Sequence, residues 1–317
     1  MTASAKRPIQ LMLPCPPPAK GRAWGDYYFG QSLASALRAL GHPVDVTLRR
    51  RGKGLVQRLR DWWDTRNRAI PQDAVEFLLL GQPSDTPRTH RRRIIWLISN
   101  SDMLDHAAAR QADKLFVASA PFAARLAEKG IACEVLLQCT DPALFAPDMR
   151  RDALRSDVLF VGNRTHKHLR PAVAAAARAG CAVTVWGTRW DKSGEPVTVG
   201  GTHIANAELG AHYASCEVVL NDHRQAMRDD AFVSNRVYDG LACGRPVVTE
   251  EMDGLPGDLR PGLRTYTTAA DVPAAISAAK AIPRDVLAEV SARVRRDHSF
   301  ARRAETISAC VQSFAPA

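Results

Sequence analysis

The residues best able to do chemistry gather in the run from Phe232 to Thr249, FVSNRVYDGLACGRPVVT. Asn235 and Asp239 stand four apart and share one helix face, with Arg236 beside the first of them. Ser234 is placed as the cap, its hydroxyl able to accept from the amides of the first turn. Val237, Leu241 and Ala242 form the apolar side, Gly244 ends the helix, and Pro246 prevents its continuation into the strand Val247–Thr249. A unit of this kind presents backbone amides and a carboxylate at the carboxyl edge of a sheet. The amides suit a diphosphate and the acid suits ribose hydroxyls, which are the two demands of a sugar nucleotide. The charge of Arg236 opposes the helix dipole, and an anion bound at the helix start would offset that cost.

The elements that must position this run alternate between strand and helix. Ile9–Leu13, Val44–Leu48, Val75–Leu80, Ile94–Ile98, Lys114–Ala118 and Val135–Leu137 read as buried strands, with helices at Tyr27–Leu40 and Pro121–Lys129. Asp26 reads as the cap of the first helix. The rhythm restarts with Asp157–Val161, the helix Arg170–Ala179, and the strands Val183–Trp186, Val218–Leu220 and Val247–Thr249. Strands separated by helices of this length predict parallel sheets covered on both faces. The expectation is an α/β chain of two facing, doubly wound Rossmann-like domains, residues 1–150 and 151–317, with ligands in the cleft between them. Beyond Pro283 one amphipathic helix is expected to run to about Gln312 and pack back across the junction.

Composition narrows the function classes. Hydrophobic content of 46% with 24% charged residues is ordinary for a folded soluble chain. The seven cysteines are scattered without a CxxC pair, so a disulfide framework or zinc site is not expected. The segment MTASAKRPIQLMLP lacks an apolar stretch of signal-peptide length, and no window approaches a membrane span. GDYYFGQS has the glycine spacing of a phosphate loop, but Gln31 stands where the lysine is required. No GxGxxG follows the first strand, which removes support for a dinucleotide oxidoreductase. The net charge of +10 lies mostly in residues 1–150 and points to an anionic partner there, or to a solvated basic face.

SNRVYDGLACGRPVVT resembles the donor-binding segment of GT-B glycosyltransferases, in particular the "glycosyl transferases group 1" family and its divergent subgroup related to spore-maturation glycosyltransferase-like proteins. Many members carry a Glu-x7-Glu pattern before an Ala-Cys-Gly-x-Pro-Val-Val turn. Here the second acid aligns with Asp239, while the first falls on Ala231. AWGDYYFGQSLASALRALGHPVDV, IIWLISNSD, DKLFVASAPFAARLAEKG, VLLQCTDPALFAP and DVLFVGNRTHK extend the likeness, in order, over most of the chain.

The resemblance implies a metal-independent enzyme that moves a sugar from a nucleoside diphosphate, UDP among the expected donors, to a hydroxyl acceptor. Retention of the anomeric configuration is favoured over inversion. Gly25, Arg164, Lys167, Asn221, His223, Ser234, Asn235, Arg236 and Asp239 are the candidate donor residues. Arg164 and Lys167 follow a strand directly and could offset charge on the leaving phosphate. Asp26 is the candidate base or sugar ligand of the acceptor domain. Asn100 stands where the subgroup often has a histidine, and Asp102 is its possible substitute. No Asp-x-Asp pair is present, so neither a metal nor another cofactor is expected.

Arg49–Arg68 interleaves arginines with Leu55, Leu59, Trp62 and Trp63. It fits a helix on an anionic membrane, although a Trp pair packed in the core beneath a solvated basic rim is the favoured reading. A cytoplasmic protein, in the first case at the inner face of the membrane and acting on a lipid-linked or envelope acceptor, is the corresponding expectation. A nucleic-acid partner is not expected. A sugar-nucleotide epimerase or hydrolase on the same fold, and a non-catalytic sugar-nucleotide or membrane binder, are the competing readings.

Overall fold

The computed structural model describes residues 6–18, 23–48, 71–80, 91–166 and 169–315. Arg49–Arg68 and Lys167 lie outside the described residues, and the expectations placed on them go with them. The chain divides into two compact units, residues 1–137 with 300–317, and residues 138–299.

The first unit is built on a six-stranded parallel sheet in the order β2-β1-β3-β4-β5-β6. Its strands are β1 (Ile9–Leu13), β2 (Val44–Leu48), β3 (Val75–Leu80), β4 (Arg93–Leu97), β5 (Lys114–Val117) and β6 (Glu134–Val135). β1, β3 and β4 are buried along their whole length, as expected of strands covered on both faces. The pair Glu76–Arg93 is buried on adjacent strands, each charge satisfying the other. Helices α1 (Gly25–Ala39), α2 (His106–Gln111) and α3 (Ala120–Glu128) connect the strands. α1 begins at Gly25, two residues before the expected start. Asp26 therefore lies within the first turn; Trp24 is the cap position, and no side chain caps it.

The second unit repeats the plan with a six-stranded parallel sheet in the order β12-β11-β10-β7-β8-β9. β7 (Ser156–Val161), β8 (Val183–Trp186), β9 (Thr198–Gly201), β10 (Cys216–Leu220), β11 (Val247–Glu250) and β12 (Leu263–Tyr266) are joined by α4 (Pro171–Arg178), α5 (Asn206–Ser215), α6 (Gln225–Asp229), α7 (Asn235–Ala242) and α8 (Val272–Lys280). The chain adds β8 and β9 on one side of β7 and then returns to lay β10 on the other. The β7/β10 junction is thus the topological switch point, where the loops beyond the strand ends diverge and leave room for a ligand.

The expected long terminal helix is two helices, α9 (Arg284–Asp297) and α10 (Phe300–Ser313). The break has a backbone cause: the Thr140 amide donates to the His298 carbonyl at 2.9 Å, and Thr140 bridges Ser299 in parallel. The break also separates the units. α10 packs on α1, with Phe300 edge-on to Phe29 at 4.6 Å and Ser308 Oγ 2.8 Å from His42 Nε2. The division falls between Leu137 and Gln138, and again between Ser299 and Phe300, where the sequence reading set one boundary at 150/151.

Candidate functional site

Three loops and one helix start converge on the carboxyl edge of the second sheet. After β7 come Gly162, Asn163 and Arg164; after β10 come Asn221, Asp222 and His223; β11 ends on Glu250; and α7 begins behind Ser234. The loop after β7 is fastened to the loop after β8. Trp190 Nε1 donates to the Gly162 carbonyl at 2.9 Å, and Asn163 Oδ1 accepts from the Thr188 amide at 2.9 Å. Gly187 holds a φ of +144° there, and a Cβ on it would collide with the Gly162 backbone.

The start of α7 agrees with the sequence reading. Ser234 caps it, its Oγ accepting from the Arg236 amide at 3.3 Å. A second contact underlies this one: the Ser234 amide donates to His223 Nε2 at 3.0 Å. Because Nε2 accepts, the proton of the neutral ring is on Nδ1, which faces Glu250 Oε2 at 2.9 Å. Glu250 Oε1 also accepts from the His223 amide at 2.9 Å, and Arg228 closes the arrangement at 3.4 Å. Burial by itself would raise the Glu250 carboxyl, but the bonds from His223 outweigh it and hold that group below the ordinary glutamate value.

Guanidinium groups dominate the edge. Arg236 Nη1 donates to Asn221 Oδ1 at 2.5 Å and to the Asp222 carbonyl at 3.3 Å. Arg170 pairs with Asp222 and donates through Nε to the Asn163 carbonyl at 3.0 Å. Both guanidiniums lie over the Phe160 ring, at 5.1 Å for Arg170 and 5.6 Å for Arg236. Burial, with the opposing charges of Arg236 and Arg224, lowers the Arg170 pKa despite the attraction of Asp222. Arg164 is half-buried, and its Nε has no partner among the described residues. Arg170 lies close enough to Arg224 and Arg236 to feel their charges, Arg228 meets Glu250, and Arg164 follows β7, so guanidinium charge collects here beside Asp222, Glu250 and Asp239 and the positive end of α7.

Asn221 and His223, which the sequence reading put against the donor, are buried. Asn221 is spent on Thr249 Oγ1 at 2.9 Å and on Arg236, while His223 holds Ser234 and Glu250. Both are engaged with side chains and backbone of the same sheet edge. Asp239 is 3% exposed, its Oδ1 accepting from Thr140 Oγ1 at 2.7 Å and its Oδ2 from Asn235 Nδ2 at 3.1 Å. Asn235 itself is exposed. Burial raises the Asp239 carboxyl to about 8, although the Thr140 bond and the Arg236 charge oppose the shift.

The first-unit candidates follow the carboxyl ends of β1 and β4, Gly25 and Asp26 in the first turn of α1 and Asn100 and Asp102 at a short 3-10 turn. Gly25 is exposed and Asp26 half-buried beside Cys15, whose thiol is pushed up to about 12 by burial and then by the Asp26 charge. Asn100 adopts the left-handed conformation, φ +51°, ahead of a short 3-10 turn that carries the exposed Asp102. Among the described residues, no group of three or more His, Cys, Asp or Glu is arranged to hold a metal ion. Sequence reasoning passed over Arg170 and Glu250. Arg170 read as an ordinary helix start, and its φ of +59° is visible only in the fold. Glu250 read as the residue just past a buried strand.

Comparisons with known proteins find a family model and solved structures of similar fold. Residues 164–309 match the model of the family described as "Glycosyl transferase-like". No curated protein matches the chain. Solved structures of similar fold include sucrose-phosphate synthase from Thermosynechococcus elongatus, with 16% identity, TM-score 0.69, and 97% of this chain and 98% of that one covered. A trehalose-6-phosphate synthase shares 12% identity at TM-score 0.67, over 98% and 100% of the two chains. The UDP-forming α,α-trehalose-phosphate synthase from Burkholderia vietnamiensis shares 11% at TM-score 0.63, over 97% of each. Residues 164–309 thus resemble the glycosyl transferase-like family, and the chain as a whole has the GT-B fold seen in these solved structures.

Proposed function

We propose that the protein transfers a sugar from a nucleoside diphosphate donor, held at the β7/β10 switch point, to a hydroxyl acceptor bound by the first unit. The observation that carries this reading is the set of guanidiniums around the start of α7. The donor diphosphate would lie against Arg164, Arg236 and the first-turn amides. Negative charge grows on the leaving diphosphate as the glycosidic bond breaks, and fixed cations in a partly dry site stabilise it most at that point. Arg236 is suited to this work because Asn221, the Asp222 carbonyl and the Phe160 ring hold its guanidinium before any ligand arrives. These cations supply the charge that a metal would otherwise bring, which supports a metal-independent reaction.

UDP-linked sugars are the first donors to test, because a neighbour of similar fold is named as UDP-forming. Retention is the proposed stereochemical course, with the donor phosphate guiding the incoming hydroxyl. Asp26 or Asp102 would then orient the acceptor, and Asn100 would offer it an uncharged amide. A screen of UDP, GDP, dTDP and CDP sugars by thermal shift tests the donor, since a bound donor raises the unfolding temperature. The anomeric configuration of any product, read by NMR, tests retention. Stabilisation by none of the nucleotides would remove the reading.

A further inference from the structure

The carboxylate that the sequence offers as a ribose acceptor faces into the protein. Asp239 is 3% exposed, and both its oxygens are engaged within the second unit, by Thr140 at 2.7 Å and Asn235 at 3.1 Å. Thr140 is itself fully buried and lies two residues after the chain enters this unit at Gln138. Its backbone pairs with His298 and Ser299, the last residues before the chain leaves. One aromatic contact adds to the assembly: the Tyr238 ring packs against His298 at 5.5 Å. The entering and leaving segments are therefore joined to each other and, through one side-chain hydrogen bond, to the middle of α7.

We propose that Asp239 is a positioning residue, whose bonds to Thr140 and Asn235 hold the donor helix against the paired entry and exit segments, and that ribose is bound by other groups. The assignment rests on the donor site proposed above, because α7 presents Arg236 and the first-turn amides to it. A ribose ligand should offer an ionised oxygen to solvent. Here the side chain facing solvent belongs to Asn235, and the acid lies behind it. The Thr140 bond also has no role in a ribose contact, but is needed if the acid serves to orient the helix.

The test compares UDP with inorganic pyrophosphate, which has no ribose, by calorimetry on the full chain. If Asp239 positions α7, Asp239→Ala and Thr140→Val each weaken both probes by a similar factor, about fivefold. Asp239→Asn restores both to near the wild-type value, because an amide can accept from Thr140 while Asn235 turns its own amide to match. Loss of UDP binding in Asp239→Asn with pyrophosphate spared is the signature of a ribose ligand and would overturn the assignment. Wild-type affinity of Thr140→Val for both probes would do the same. If the wild-type chain binds neither probe, it is the donor site that fails, and the tether is then read from thermal unfolding. The double variant Thr140→Val/Asp239→Ala should lose no more stability than the worse single variant, whereas additive losses would contradict the tether.

Discussion

The Ser234 amide donates to His223 Nε2 at 3.0 Å, so the first turn of α7 rests on a neutral imidazole. Replacing His223 with Ala should leave the buried Ser234 amide without a partner and cost about 1–3 kcal/mol, read by chemical denaturation. His223→Gln, which can still present an acceptor, should recover part of that loss. Equal losses in the two variants would show that the acceptor is unimportant.

Stability should respond to pH with opposite signs at two acids. Glu250 has a folded pKa below its free value, so its contribution is present above about pH 4.5 and is lost as pH falls through the lower folded value. Asp239 is raised from 3.8 to about 8, so its contribution is present below 3.8 and is lost as pH rises towards 8. Asp239→Asn should therefore gain on the wild type in Tm as the buffer moves from about pH 5 to about pH 9, at roughly 2–4 °C per kcal/mol. A constant difference across that range would contradict burial of the acid.

A paired substitution tests the turn that carries α7. Ala231 holds a φ of +55°, and a Cβ on Gly254 would collide with the Ala231 carbonyl oxygen. Gly254→Ala should destabilise the protein by about 1–3 kcal/mol. Ala231→Gly, which relieves a left-handed alanine, should be neutral or stabilising by up to about 1 kcal/mol. Thermal unfolding of both variants checks the opposite signs.

Arg170 and Asp222 form a buried pair that joins the loops after β7 and β10. Arg170→Met strands the acid and should cost about 3–5 kcal/mol, while the double variant Arg170→Met/Asp222→Leu should be milder. A double variant as unstable as the sum of two singles would show that the charges act independently.

Most of the architecture could be read from the chain because strand and helix signals are local. β1, β2, β3 and β8 occupy the residues expected, and Ser234 caps α7 as its residue type suggests. β9 was missed because Thr198–Gly201 is a largely exposed edge strand with two glycines. The break at His298 was hidden because it is made by backbone pairing with Thr140, more than 150 positions away in sequence. The site was legible as a list of residue types, but not as an arrangement. Spacing put Asn235 and Asp239 on one face, yet only packing turns the acid inward and buries Asn221 and His223. Arg170 gave no signal, since its role depends on Phe160 and Asp222 meeting it at the sheet edge.

Guanidiniums at the β7/β10 switch point are proposed to bind the donor diphosphate. Calorimetric titration of UDP into the wild-type chain and into Arg236→Ala tests it most directly. Arg236→Ala should lose about tenfold to a hundredfold in affinity, the value of one or two charge-assisted hydrogen bonds, with Arg236→Lys recovering little of it. UDP binding to Arg236→Ala with wild-type affinity would contradict it.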